Sequence, residues 1–174
     1  MRRMTLPVLT ILRKMRRLGN LASWIVAAVI AFTFVSCDRD LVYEKNKPME
    51  EGVWNLTDIV KFNVDIADIK QPYNFYLNLR IKDTYRYANL FLYMKTLYPD
   101  GKISVDTVEC YLADVDGRWL GSRSGSLIDS RMIFRKNVVF PQAGRYSFEF
   151  EQAMRDTLLD GVEDFGIRIE KAEL

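Results

Sequence analysis

The sequence predicts an all-β domain, an antiparallel β-sandwich of jelly-roll-like or immunoglobulin-like architecture, which follows an N-terminal signal-peptide helix. Three observations predict this class: many segments alternate apolar and polar residues, short turns separate them, and strands do not alternate with helices along the chain. We predict a signal peptide at residues 1–36, a lipidated tether at residues 37–52 and the sandwich domain at residues 53–174.

The N-terminal segment has the organisation of a bacterial export signal. Every charged side chain in residues 1–20 is basic, and residues 21–35 then carry no charge. This apolar run of fifteen residues is shorter than the roughly 20 residues that a membrane-spanning helix needs. We therefore predict a cleaved signal peptide, with an uncleaved anchor helix as the alternative.

A cysteine follows the apolar run directly, in the sequence Phe34-Val35-Ser36-Cys37. This arrangement is typical of a bacterial lipobox, although Phe34 stands where leucine is usual. We predict cleavage after Ser36 and acyl chains, such as palmitate, on Cys37. The lipid on Cys37 would then attach the exported chain to a membrane.

The segment after the cysteine is polar. Residues 38–51, DRDLVYEKNKPMEE, are rich in charge and interrupted by Pro48. Such a composition is typical of a flexible linker. We predict a tether that, fully extended, reaches on the order of 40 Å.

Two segments early in the domain alternate with a period of two, which is typical of half-buried strands. A helix would distribute the same apolar residues around its axis. The apolar positions of the two segments are Val60, Phe62, Val64 and Ile66 in the first and Phe75, Leu77, Leu79 and Ile81 in the second.

The central part of the chain predicts a hairpin. Residues 89–98 are apolar on both faces, and residues 103–113 follow them after the turn sequence Pro99-Asp100-Gly101. Residues 122–126, SRSGS, have the composition of a flexible loop.

The last third of the domain predicts further strands with one irregular connection. Between them, residues 152–159 are compatible with a short helix or a bent crossover. The strand candidates are residues 131–140, 144–150 and 162–172.

The composition of the mature chain excludes several functional classes. Without residues 1–36 it has 19 Lys and Arg against 23 Asp and Glu, a net charge of −4, so the basic surface of a nucleic-acid-binding protein is missing. Histidine is absent, which removes the commonest metal ligand and any histidine-based catalytic triad. We predict a protein that is not an enzyme and needs no cofactor or metal. If Cys37 carries lipid, Cys110 has no disulfide partner, and we predict a buried apolar thiol there.

Closely spaced carboxylates suggest a calcium site at Asp106, Glu109, Asp114 and Asp116, because hard cations bind several oxygen ligands. The spacing matches no EF-hand, however, and Asp-x-Asp-Gly is also the sequence of an ordinary turn. We predict a turn.

Two further patterns resemble a phosphate-binding loop and the carboxylate pair of a hydrolase, but neither pattern is specific. The stretch GSRSG at residues 121–125 resembles a phosphate-binding loop but lacks the lysine and the strand-to-helix context of such loops. Glu149 and Glu151 have the spacing of a hydrolase carboxylate pair, which is also the spacing of any solvated strand face.

Aromatic residues permit a second functional hypothesis. Trp54, Trp119 and the tyrosines could form a platform for sugars, as in a surface glycan-binding lipoprotein. Core packing is the preferred interpretation, and Trp119, beside glycines, is the better platform candidate.

Several longer motifs together resemble one family. The lipobox cysteine, YNFYLNLR, LADVDGRWLGSRSG, EQAMR and the closing GIRIEK are similar to the gliding-motility lipoprotein family GldH of the Bacteroidota, from Cys37 to about Lys171. Arg123 departs from the family's glycine-rich loop. The residues that match the family pattern, and which we take as candidate interaction residues, are Asp114, Gly117, Trp119, Leu120 and Gly121, followed by Gln152, Met154 and Arg155 with Ala153 between them.

The resemblance implies a lipid-anchored envelope protein of the gliding apparatus, which works alongside a secretion machinery and has protein partners. Envelope maintenance or protein secretion without gliding is the alternative role. The family has no assigned catalytic residue to carry over. Asp38 would retain a lipoprotein in the inner membrane of some bacteria, but Bacteroidota interpret acidic residues there differently, so we expect the outer membrane.

Overall fold

The structure, a computed structural model, describes residues 39–173. The predicted signal peptide and Cys37 lie outside these residues. No helix within residues 39–173 is long and apolar enough to cross a bilayer. The strands are β1 (Leu41–Pro48), β2 (Val53–Asn55), β3 (Val60–Ile66), β4 (Tyr73–Lys82), β5 (Asn89–Leu97), β6 (Ile103–Tyr111), β7 (Ser122–Ser124), β8 (Leu127–Val138), β9 (Gly144–Gln152), β10 (Leu158–Asp160) and β11 (Val162–Lys171), with a 3-10 turn at Glu50–Gly52.

The predicted antiparallel sandwich is confirmed. One sheet has the strand order β1-β11-β4-β8-β7, the second has β3-β9-β5-β6, and β10 pairs with β2 in a small third sheet. The alternation that predicted the strands places one face of each sheet in a shared core. In β3, for example, Phe62 and Val64 are buried while Lys61 and Asn63 are exposed.

The predicted tether is wrong for residues 41–48, which form β1. This strand pairs with β11 from Leu41 opposite Glu170 to Pro48 opposite Asp164. It is an edge strand, so its backbone bonds to a neighbour while most of its side chains remain in solvent. A polar sequence therefore suits the strand as well as it suits a linker, and composition cannot separate the two.

Two irregular segments also differ from their predictions. No helix forms in residues 152–159: β9 ends at Gln152, the chain bends, and β10 begins at Leu158. The bent crossover is therefore the correct alternative. The segment predicted as a flexible loop contains β7, whose Arg123 is paired with Ile128 of β8.

The strand directions define two ends of the sandwich. The end at which β1 begins, which we call the basal end, consists of residues 39–41, 67–72, 98–102, 136–143 and 171–173. The opposite end, which we call the distal end, consists of residues 49–59, 83–88, 112–121 and 153–158. The pairings of β1 with β11, β11 with β4 and β4 with β8 fix these positions in the first sheet.

Aromatic contacts join the two sheets at both ends. Near the basal end, the Phe140 ring lies 5.5 Å from Tyr73 and 4.8 Å from Tyr146. Near the distal end, the Phe165 ring lies 5.1 Å from Trp54 and 4.9 Å from Phe150. Aromatic ring contacts of this kind add to the free energy of burial and fix how the sheets stack.

Candidate functional site

The central motif, residues 112–121, begins with a tight turn. The Asp114 carboxylate accepts hydrogen bonds from the backbone N–H groups of Asp116 at 2.9 Å and Arg118 at 2.8 Å. Gly117 has a positive φ of 78° and donates its N–H to the Asp114 carbonyl. The carboxylate that would hold calcium thus closes the turn, and no group of three or more metal ligands lies within residues 39–173.

The Trp-Leu-Gly part of the motif returns along the end of β6. Trp119 bridges to Ala113 and packs, partly buried, against the core. Leu120 donates its N–H to the Leu112 carbonyl at 2.8 Å, and its side chain is 53% exposed. Gly121 lies against β8. Among the residues that match the family pattern, Leu120 is therefore the apolar side chain most open to a partner, while Val115, in the turn of the same segment, is fully exposed.

The second motif, residues 152–155, is organised by one buried amide. Gln152 is 1% exposed; its Nε2 donates to the Asp156 carbonyl at 2.7 Å, and its Oε1 accepts from the Met154 N–H at 2.8 Å. Gln152 therefore shapes the bend after β9. Arg155 is exposed and its side chain is available at the surface.

The two motifs lie on either side of the start of β5. The Ala88 carbonyl accepts hydrogen bonds from the N–H groups of Leu112 and Ala113, and the Phe91 carbonyl accepts one from Ala153. One strand therefore separates the motifs, a spacing of roughly 10 Å between their backbones. The fold brings together two sequence motifs that are more than thirty positions apart.

A shallow groove of about 300 Å³ runs beside the second motif. Tyr87, at its edge, donates its hydroxyl to Asp156 at 2.8 Å, and this hydrogen bond raises the pKa of Tyr87. The groove combines an aromatic wall with the cationic Arg155. Its lining residues are Tyr87, Asn89, Phe91, Ala153, Met154 and Arg155.

A second, larger and more polar groove of about 620 Å³ begins at the central motif and extends over the outer face of the first sheet. Leu120 and Gly121 form one side of it, and residues of β1, β4, β7, β8 and β11 form the rest. Ser130, at its margin, has a buried hydroxyl oxygen with no hydrogen-bond partner.

A network of charged side chains that the sequence did not predict lies on this outer face. Glu44 of β1 accepts hydrogen bonds from Arg168 of β11 at 2.6 Å and from Asn78 of β4 at 2.9 Å, and it forms an ion pair with Arg131 of β8. Burial alone would raise the pKa of Glu44, but these hydrogen bonds and the two arginine charges lower it. The polar faces of YNFYLNLR and GIRIEK contain Asn78 and Arg168, but only the strand order shows that they meet Glu44.

The remaining sequence candidates have structural roles. Trp54 is fully buried and donates its indole N–H to the Asp58 carbonyl, so it cannot stack on a ligand. Glu149 bonds Lys61 and Lys95 at 2.9 and 3.1 Å, and the hydrogen bonds from these lysines lower its pKa. Cys110 is buried, as predicted, and burial raises the pKa of its thiol to about 12.

The chain matches one protein family along most of its length. The GldH lipoprotein family model matches residues 41–169. The chain is 35% identical over 147 residues to the gliding motility lipoprotein GldH homolog of Christiangramia forsetii, covering 80% of this chain and 90% of that one. It is 30% identical over 164 residues to the gliding motility lipoprotein GldH of Flavobacterium johnsoniae, covering 90% and 99%.

Solved structures show weaker similarity. A family GH115 4-O-methyl-α-glucuronidase matches with a TM-score of 0.40 at 10% identity, over 79% of this chain and 18% of that chain. The VP2 subviral particle of infectious bursal disease virus matches with a TM-score of 0.28 at 11% identity, over 74% of this chain and 29% of that chain. The chain thus spans less than a third of either structure.

Proposed function

The chain belongs to the GldH lipoprotein family, and from this membership we propose that it is a non-catalytic, lipid-anchored module that holds protein partners in the cell envelope. The relatives are named gliding motility lipoproteins, so the assembly we propose is of the gliding or secretion type. The observation that supports the proposal most directly is that the two motifs with the candidate interaction residues, 112–121 and 152–155, lie together at the distal end.

The chemistry of the matched residues supports binding over catalysis. The Asp114 carboxylate accepts hydrogen bonds from backbone N–H groups. The Gln152 amide forms hydrogen bonds with the backbone of the bend after β9. The Asp114 carboxylate is thus part of its turn, the Gln152 amide is not a general base, and the chain has no histidine. The matched side chains left at the surface are Leu120, Arg155 and parts of Trp119 and Met154. Arginine, tryptophan and methionine side chains, though not leucine, are enriched in protein interfaces.

The anchor that we propose is lipid on Cys37, exposed by cleavage after residues 1–36. The chain from Cys37 to the first strand then contains too few residues to act as a long tether, since β1 begins at Leu41. We propose the outer membrane as the site of attachment. The sandwich would be held close to that membrane and present its distal end to a partner.

Site-specific crosslinking in cells tests where the partner binds. A photo-reactive amino acid is placed at Leu120 or, as a matched control, at Val105, which is an exposed apolar residue of β6 remote from both motifs. We expect a discrete crosslinked protein from position 120 and none from position 105. Crosslinks from 105 alone would contradict the distal site, and no crosslink or co-purified protein from any position would contradict the interaction module itself.

Charge reversal provides an independent test. Arg155→Glu changes an exposed cation at the groove beside the second motif, whereas Arg145→Glu changes an exposed cation near the basal end. We expect Arg155→Glu to weaken recovery of the crosslinked partner and Arg145→Glu to leave it unchanged. Equal recovery from both variants would show that Arg155 does not contact the partner.

A further inference from the structure

The chain that joins Cys37 to the folded domain is short. The Asp40 carbonyl accepts a hydrogen bond from the Lys171 N–H at 2.7 Å, so the chain is already attached to the sheet at this residue. Three Cα-to-Cα steps separate Cys37 from Asp40, a reach of at most about 11 Å. A lipid on Cys37 would therefore keep the basal end within roughly that distance of the headgroups.

The basal end presents an exposed apolar side chain on the loop after β8. Val139 is 59% exposed. The next residue, Phe140, is buried between the rings of Tyr73 and Tyr146, at 5.5 and 4.8 Å. Because the buried Phe140 ring holds the loop in place, Val139 remains exposed in the folded domain.

A second apolar side chain is held on the loop before β4. Ile69 is 41% exposed. Its neighbour Asp68 accepts hydrogen bonds from the Lys70 N–H at 2.8 Å and from the Tyr73 hydroxyl at 2.7 Å. Gln71 also donates its side-chain N–H to the Ala172 carbonyl at 2.9 Å. The loop is thus tied to β4 and to the end of the described chain, with Ile69 facing solvent.

Charges at the basal end nearly cancel. Its segments contain five basic residues and four acidic ones, and Lys102 forms an ion pair with Asp100 at 2.9 Å. Electrostatic attraction to anionic lipid is therefore not the force that would hold this end to a membrane. Apolar contact at the headgroup boundary needs no such attraction. The basic residues are Arg39, Lys70, Lys102, Lys136 and Lys171, and the acidic residues are Asp40, Asp68, Asp100 and Glu173.

We infer that the basal end rests on the bilayer surface, with Ile69 and Val139 at the boundary between headgroups and acyl chains. The partner of this surface is the lipid bilayer itself, and zwitterionic lipid suffices. The inference rests on the proposed lipid at Cys37. It also orients the molecule, because the distal end with both family motifs then faces away from the membrane.

Depth-dependent quenching tests this orientation. The protein is expressed from its full sequence, purified from membranes in its lipidated form and inserted into preformed phosphatidylcholine vesicles. The variants Ile69→Cys and Val139→Cys carry an environment-sensitive fluorophore, and Leu158→Cys, which is 61% exposed at the distal end, is the matched control. Cys110 is buried and the thiol of Cys37 would be acylated, so the introduced cysteine is the one that the fluorophore labels.

Brominated phosphatidylcholine in the vesicles should reduce the fluorescence of the labels at 69 and 139 and leave the label at 158 unchanged, at low and at high salt. Equal quenching at all three positions, or quenching at 158 alone, would overturn the orientation. If the labels at 69 and 139 are quenched only when the vesicles also contain anionic lipid, the inference that apolar contact holds this end to the bilayer is overturned. Intact mass of the same preparations separates the two proposals: lipid on Cys37 without quenching at 69 and 139 refutes the orientation alone, whereas a chain without lipid refutes the anchor and the orientation with it.

Discussion

Gly121 lies against Ser130 where the central motif meets β8, and a Cβ on residue 121 would come within 2.6 Å of the Ser130 hydroxyl oxygen and 2.5 Å of the Asp129 carbonyl oxygen. Real Cβ atoms do not approach other atoms so closely. The last residue of the Trp-Leu-Gly sequence is therefore a glycine because of packing, since its φ is not among the positive ones.

We predict that Gly121→Ala lowers the free energy of unfolding by about 1 to 3 kcal/mol, the usual cost of overpacking a fitted site. Urea denaturation of a soluble chain that begins at Asp38 measures this, with Ser122→Ala, at the exposed next position, as control. Adding Ser130→Ala should restore only part of the loss, because the Asp129 carbonyl remains. Unchanged stability of Gly121→Ala would mean that the loop moves away at no cost.

We predict that Asp114 and Asp116, although close in sequence, contribute differently to the stability of the domain. Asp114→Ala removes two hydrogen bonds to backbone N–H groups and should destabilise the domain by about 1 to 2 kcal/mol. Asp116 is exposed and lies 3.7 Å from Arg118, so Asp116→Ala should change stability by no more than about 0.5 kcal/mol. Thermal denaturation of both variants measures this difference. A rise in the melting temperature of the wild type with millimolar Ca²⁺ would contradict the conclusion that Asp114 closes a turn and does not bind calcium.

The Glu44 network predicts acid sensitivity. The folded-state pKa of Glu44 is lowered from its ordinary value of 4.5. As the pH falls below 4.5, the unfolded chain therefore binds more protons than the folded chain does. The contribution of Glu44 to stability is thus present above pH 4.5 and is lost as the pH falls through the lowered folded pKa.

Glu44→Gln should therefore be less stable than the wild type at neutral pH and approach it at low pH. Urea denaturation between neutral pH and about pH 3 measures the difference, with Glu173→Gln, an exposed carboxyl near the C-terminus, as control. A constant difference between Glu44→Gln and the wild type at all pH values would show that the Glu44 carboxylate charge is not the stabilising feature.

The burial of Cys110 predicts that its thiol reacts slowly with thiol reagents. Burial raises the pKa of Cys110 to about 12, so at neutral pH almost no thiolate is present and reagents cannot reach it. Cys110 should react with a maleimide only as fast as the domain unfolds, while Thr107→Cys, exposed on the same strand, should react at once. Rapid labelling of Cys110 in the native protein would show that β6 opens locally.

The fold was predictable where one residue in two enters the core. The regular burial of Phe75, Leu77 and Ile81 in β4 needs no knowledge of neighbouring strands. The pairing of β1 was not predictable, because an edge strand buries little and its sequence resembles a linker. Strand order depends on contacts between distant residues, such as Glu44 with Arg168, which one sequence does not reveal.

The candidate site was predictable only in part. The family motifs located the correct segments, but hydrogen bonding divides them into residues that build turns, such as Asp114 and Gln152, and residues that remain at the surface, such as Leu120. The meeting of the two motifs beside β5 follows from strand order. Sequence spacing alone did not indicate it.

Intact-mass analysis of the membrane-extracted protein beside Cys37→Ala, followed by separation of the two membranes, shows whether lipid on Cys37 anchors the protein in the outer membrane. We expect a lipid-bearing chain that begins at Cys37 in the outer-membrane fraction and an unlipidated Cys37→Ala chain. An unmodified chain that retains residues 1–36 in the inner-membrane fraction would contradict it, because residues 21–35 would then be the anchor.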